Sequence, residues 1–144
     1  MRWFWTKRMG STKNTSHDLQ PGMWGERQAE THLKKKGYKI LGRRVRVGRR
    51  DELDLITRQR DILVFVEVKT RRNLDFGRPI DAVNRRKRLT TSRAAIRYMM
   101  HLRKRPHYFR FDVIEVIGRE NGETVEIRHI ENAYNLDSRY RIPW

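Results

Sequence analysis

Apolar and polar positions recur along this chain with two different periods, and the changes of period mark its elements. From Trp24 to Lys36 the period is helical. Ala29 and Leu33 mark an apolar stripe, Glu26 and Glu30 fall on the same side, and Gly37 stands where a helix stops. Tyr38 to Val47 then reads as a strand carrying Ile40, Leu41, Val45 and Val47, and Leu53 to Thr57 reads as a short one. Leu63 to Lys69 is apolar on both faces, with Val64, Val66 and Val68 on one and Leu63 and Phe65 on the other. Such a strand belongs in the middle of a sheet covered on both sides. Asn84 is placed to cap a helix reaching about Leu102, whose stripe is Ala94, Ala95, Tyr98, Met99 and Leu102, with Pro106 just beyond. Tyr108 to Ile117 is a further strand. A turn around Asn121-Gly122 leads into its hairpin partner, Thr124 to Ile130, and a last helical turn is expected to include Ala133 and Tyr134. The order of helix, three strands, helix and two strands predicts an α/β fold, a mixed sheet with a helix on each face.

The chain has 144 residues, which suits one domain. Residues 1–21 are polar and patternless up to Pro21-Gly22 and read as a disordered tail. Residues 22–136 form the expected domain and 137–144 a short tail. Trp3, Phe4 and Trp5, beside Arg2, Lys7 and Arg8, are a candidate contact for a membrane surface or a partner. No apolar run is long enough to cross a membrane and no secretory signal is visible, so a cytoplasmic protein is expected. Cysteine is absent, which excludes disulfides, zinc–thiolate sites and thiol catalysis.

Charge changes the picture further. Lys and Arg number 34 against 17 Asp and Glu, a formal net charge of +17. Nine of the cations lie between Lys34 and Arg50 and nine more between Asn84 and Arg105, and neither block holds an acid. Between them, Asp51 to Ile62 carries four acids. Like charges repel within each block, so the arrangement is poorly suited to solubility alone and well suited to following a phosphate backbone. A generally basic surface that meets polyanions without specificity is the plainer account.

The informative anomaly is charge inside apolar strands. Asp54 sits within Leu53-Asp-Leu-Ile56, and Glu67 and Lys69 end the most apolar strand on one shared face. With Arg58 opposite Leu63 and residues 59–62 as the loop, antiparallel pairing puts Asp54 opposite Glu67; a slip of one residue would send Asp54 to the other face. Two adjacent carboxylates repel, and a divalent cation between them removes the repulsion. Oxygen ligands without cysteine suit Mg²⁺ or Mn²⁺. Lys69 is placed to orient an attacking water or to neutralise charge building on a phosphate, the layout of metal-assisted phosphodiester hydrolysis. The alternative is structural, with Glu67 paired to Lys69 and Asp54 to an arginine. Glu26 is a candidate further oxygen, or an acid favouring a helix N-terminus. Lys87 reaches a phosphate or snorkels. Arg110 and Asp112 share a strand face and read as an ion pair, His129 reads as a satisfied strand histidine, and Gly77 and Pro79 as turn residues.

Asp54 followed by Glu67-Val68-Lys69 resembles the PD-(D/E)xK signature of restriction-endonuclease-like nucleases. The likeness extends to Gly25-Glu26-Arg-Gln-Ala29, Leu33-Lys-Lys-Lys-Gly37-Tyr38-Lys-Ile40-Leu41, Asp51-Glu-Leu-Asp54-Leu-Ile56, Leu63-Val-Phe-Val-Glu67-Val-Lys69-Thr-Arg71, Ala82-Val83 with Lys87, Arg110-Phe-Asp112-Val113, and His129-Ile130 with Ala133. Over about residues 22 to 134 these runs resemble the bacterial YraN-like family, regarded as a relative of archaeal Holliday-junction resolvases. The resemblance implies a restriction-endonuclease-like fold. It also implies Asp54, Glu67 and the Val68 carbonyl as metal ligands, Lys69 as catalytic lysine and Glu26 as an additional helix acid. The family usually has glycine where this chain has Asp51, so added negative charge near the phosphate path is expected.

The reading that follows is a Mg²⁺- or Mn²⁺-dependent endonuclease acting on nucleic acid, DNA ahead of RNA, with branched DNA one candidate substrate. Arg43, Arg44, Arg46, Arg49, Arg50, Arg71, Arg85, Arg86 and Lys87 are the expected grip on the flanking strands. Symmetric cleavage of a junction would call for a homodimer. The rivals are a non-catalytic nucleic-acid-binding protein on a nuclease-like fold, and an interaction domain working through Trp3, Phe4 and Trp5.

Overall fold

The computed structural model describes residues 21–72, 84–120, 122 and 126–144. The expected N-terminal contact at Trp3 to Trp5, the turn at Gly77 and Pro79, the Ala82-Val83 pair, and Asn121 and Thr124 of the last turn lie outside the described residues. The elements are α1 (Pro21–Lys35), β1 (Lys39–Val47), β2 (Asp51–Gln59), β3 (Ile62–Arg71), α2 (Arg85–Met100), β4 (Tyr108–Ile117) and β5 (Glu126–Tyr134). This is the α/β order read from the sequence. No helix among the described residues is long and apolar enough to cross a membrane.

The strands lie side by side in chain order, β1 to β5. Neighbours pair antiparallel except β3 and β4, which run parallel from Ile62↔Tyr108 to Arg71↔Ile117 and are joined through α2. The central place expected for β3 follows from its two apolar faces. Val64 and Val66 pack with Trp24, Ala29 and Leu33 of α1, and with Leu55, Ile114 and Val116. Leu63 and Phe65 pack with Ala94, Ala95, Ile96 and Met99 of α2, and with Ile56, Phe111 and Val113.

Helix ends form where their chemistry is. Gly37 takes φ +87, a conformation that glycine reaches without steric cost, and the Tyr38 N–H closes back on the Leu33 carbonyl at 3.0 Å. The Asn84 side chain caps α2 by accepting from the Lys87 N–H at 2.9 Å.

Three expectations need correction. The β2–β3 loop is tighter than residues 59–62, because Gln59 still pairs with Ile62 and Arg60, at φ 54, turns the chain with Asp61. β2 begins at Asp51 rather than Leu53, because Asp51 pairs with Val47 across the preceding turn. Ala133 and Tyr134 are strand rather than helical turn: Tyr134 pairs with Phe111, and their rings stack 5.0 Å apart. The β4–β5 ladder is irregular between Phe111 and Val113, and Asn132, just before Ala133, takes φ 50. Beyond β5 the chain lies along α2. The Asp137 N–H donates to Ser92 Oγ at 3.1 Å, and Leu136 and Tyr140 pack on the α2-side core.

Candidate functional site

The sheet forks at the acids. The β2–β3 ladder runs from Gln59↔Ile62 to Leu55↔Val66 and ends there. Past that point β2 continues paired only to β1, as far as Asp51, and β3 continues paired only to β4, as far as Arg71. The register Arg58↔Leu63 is the one read from the sequence, and it brings Asp54 to Glu67 where the strands part. The facing pattern changes at the same place. Leu55 packs under α1, while Leu53 and Ile56 both pack toward α2, so strict alternation fails around Asp54.

Asp54 bridges the opening. Its Oδ2 accepts from the Val68 N–H at 2.9 Å, satisfying a donor that β2 no longer pairs. Glu67 lies beside it, only 5% exposed. Burial first, and then the Asp54 charge and a hydrogen bond shared with Asp54, push the Glu67 carboxyl up to about 7 against the pull of Lys87 and Lys69. Lys69 Nζ stands 3.6 Å and Lys87 Nζ 3.5 Å from the same oxygen, Glu67 Oε1. Two carboxyl groups side by side at a strand end, one of them buried, are an arrangement a divalent metal would relieve. The donors are oxygen only, and Mg²⁺ commonly takes one or two protein carboxylates and fills its remaining positions with water and phosphate oxygen. The Asp54 and Glu67 carboxylates are donors of the kind this ion takes. Among the described residues no group of three or more His, Asp or Glu side chains is placed to hold a metal together.

Glu26 is not brought into the pair. It is on α1, where Arg44 Nε donates to its Oε2 at 2.7 Å, and burial raises its pKa against that arginine. The first turn of α1 is held close to the fork by Gly25, where a Cβ would come 1.9 Å from Thr70 Oγ1.

The basic residues divide into two sets. Arg43 holds Glu30 through Nε at 2.7 Å, Arg44 holds Glu26, and Arg71 lies 3.6 Å from the buried Glu115. These three arginines bind the molecule's own acids, which leaves the fork with a smaller grip than nine residues. Arg49 and Arg50 are exposed in the β1–β2 turn, Arg46 is 4.0 Å from Glu52 on an exposed edge, and Arg85 and Arg86 are exposed at the start of α2.

Asp51 does not leave a free negative charge on the phosphate path as expected. It is buried and held by Arg93 of α2 through two hydrogen bonds of 2.7 Å, and this guanidinium lowers its pKa. The pair clamps the tip of the β1–β2 arm to α2. Neither residue was singled out as a partner of the other, and nothing in local spacing joins positions 42 apart.

A second polar cluster also escaped the sequence reading in its extent. Asp112 is fully buried, and Arg110 Nε donates to it at 2.9 Å, the ion pair expected on that strand face. His129 Nε2 donates to Asp112 at 2.8 Å and its Nδ1 accepts from Lys36 at 2.9 Å, so this histidine is satisfied, as expected. Lys36 and Tyr38 both donate to Glu131 Oε1, at 3.2 and 3.1 Å, and Arg110 Nη2 donates to the Tyr38 hydroxyl at 2.6 Å. The six side chains close a ring that ties the end of α1 to β1, β4 and β5. Lys36 can only donate, which assigns the histidine proton to Nε2.

The family described as "Uncharacterised protein family UPF0102" matches residues 25–116. The chain is similar to a UPF0102 protein of Clostridium acetobutylicum, 42% identical over 117 residues that cover 80% of this chain and 93% of that one. A Syntrophomonas wolfei relative is 46% identical over 116 residues (78% and 96% of the two chains), and one from Syntrophotalea carbinolica 41% over 125 residues (85% and 98%). The matched span takes in the fork, both lysines and α2.

Proposed function

Since the chain belongs to the UPF0102 family, we propose for it a Mg²⁺- or Mn²⁺-dependent endonuclease activity on nucleic acid, DNA ahead of RNA. The observation that carries this reading is the meeting of Asp54 and Glu67 at the fork, with Lys69 and Lys87 on one carboxylate oxygen. A structural ion pair accounts for one lysine on Glu67. It does not account for a second carboxylate placed against a buried one, which costs stability unless a cation joins them.

Asp54, Glu67 and the Val68 carbonyl would hold the metal. Bound there, it would lower the pKa of a water and polarise a phosphate oxygen. The Val68 N–H fixes Asp54, so one ligand is oriented before any ion arrives. Lys69 and Lys87 lie on the same side of Glu67 and are free to move their ammonium groups onto a phosphate once Glu67 is engaged, where they offset the charge of the transition state. Arg49 and Arg50 on the β1–β2 arm, with Arg85 and Arg86 at the start of α2, flank the fork and hold the backbone on either side. The Asp51–Arg93 clamp fixes the spacing between those two arms. Cutting both strands of a junction symmetrically would call for a second copy of the chain.

A Mn²⁺ titration followed by the spectrum of the free ion tests the site itself. The full chain is expected to take up manganese more tightly as pH rises through 7, with protons released on binding below that pH and fewer above it, and Asp54→Ala to take up none. Equal uptake by the two proteins would contradict the assignment.

A further inference from the structure

α2 starts at the fork, with Lys87 3.5 Å from Glu67, and ends at Met100. From Lys87 to Met100 the helical rise carries the chain roughly 20 Å from the carboxylates. The sheet makes the same journey, since β3 runs back from Glu67 to Ile62, whose parallel partner is Tyr108.

At this far end the surface changes character. The large apolar side chains exposed among the described residues are Met100, Tyr108, Ile142 and Trp144, and Tyr108 and Trp144 are 62% and 39% exposed. Met100 closes α2, Tyr108 opens β4, and the segment lying along α2 carries Trp144 onto Arg105, whose guanidinium stands 4.9 Å from the indole ring centre. Arg103 and Arg105 are exposed between Met100 and Tyr108, and no acid occurs from Asn84 to Phe111. Anchoring the segment explains the Arg105–Trp144 contact. It leaves unexplained an exposed Tyr108 in an acid-free run. Flat rings interleaved with guanidinium groups supply both things an unpaired strand offers, faces to stack on and phosphates to pair with. A duplex keeps its base faces stacked inside and would use only the charges.

We infer that the Met100–Tyr108 end, with Trp144, binds single-stranded nucleic acid, with bases on Tyr108 and Trp144 and phosphates on Arg103 and Arg105. This surface lies away from the fork and does not depend on the chain cutting anything.

The test is binding of a short fluorescein-labelled oligothymidylate to the full chain without metal, followed by anisotropy across a salt series. A duplex of equal length and anionic phosphatidylglycerol vesicles are run alongside. Tyr108→Ala and Trp144→Ala are each expected to weaken single-strand binding about tenfold, with the duplex unchanged. Tyr108→Phe and Trp144→Phe keep a ring and are expected to bind as the parent does, which separates stacking from misfolding. Arg105→Ala is expected to flatten the salt dependence by roughly 0.7 in log–log slope, and the aromatic variants to leave it alone. Alanine variants that bind like the parent would overturn the inference. So would an equal loss for single strand and duplex, or an effect confined to the vesicles.

Discussion

At the scale of single residues, Glu67 decides most. An acid whose folded pKa is raised from the ordinary 4.5 to about 7 weakens the fold above its unfolded pKa, with the full cost present above pH 7. Glu67→Gln removes that cost. The metal-free variant is expected to melt about 5 °C higher than the parent at pH 8 and at the same temperature near pH 4, in scans across that range. Glu30 works in the opposite sense. Arg43 holds its carboxyl down to about 2, so the stability it contributes is present above the ordinary 4.5 and lost as pH falls toward 2. The Arg43 side chain is 58% exposed, which makes the contribution small. Arg43→Ala is therefore expected to leave melting at pH 7 within about 1 °C of the parent and to flatten its fall between pH 4 and 2. Asp54 and Glu67 were legible because a strand's side chains alternate with period two, so that charge in an apolar run stands out and the register follows from the turn. The roles of Arg43 and Arg44 were not legible, because a basic block looks the same whether its charges meet a ligand or acids on the facing helix.

Elements are held by contacts that local sequence does not announce. Gly25 lets α1 lie against Thr70 of β3, and an added Cβ would overlap the threonine hydroxyl. Gly25→Ala is expected to cost about 1–3 kcal/mol in chemical denaturation and to displace Glu26 and Arg44 at the edge of the fork. The Gly25→Ala, Thr70→Ala double variant should recover part of that loss. The six-membered polar ring is the other fastening. Asp112 is wholly buried with Arg110 against it, so Asp112→Ala takes the carboxylate from a largely buried guanidinium and is expected to cost about 3 kcal/mol, whereas a surface change such as Arg103→Ala costs almost nothing. The pattern of apolar positions foretold β4 to the residue and β3 and α2 to within two, because each is long and strongly periodic, and it placed the start of α1 three residues late. It misread the end of β5, where an irregular ladder and Asn132 in a left-handed conformation imitate a turn. Lys36 and Tyr38, in the α1–β1 connection, meet the ring members of β4 and β5 only once the sheet has ordered those strands.

Across the whole molecule the excess of positive charge is not uniform. Among the described residues Arg43 and Arg44 meet acids of α1 and Arg71 meets Glu115, while Arg49, Arg50, Arg85, Arg86, Arg103 and Arg105 are exposed. Two surfaces at opposite ends of α2 would let one strand be gripped at the fork and an unpaired stretch be held beyond it. The most direct measurement is cleavage at low salt of a four-way junction, a flap, a fork, a linear duplex, single-stranded DNA and structured RNA. Each is incubated with Mg²⁺, Mn²⁺ or a chelator, and Asp54→Ala is purified in parallel. The account predicts cutting that needs the metal and disappears in Asp54→Ala while binding remains. Cutting retained by Asp54→Ala, or tight binding with no cutting in any metal, would contradict it.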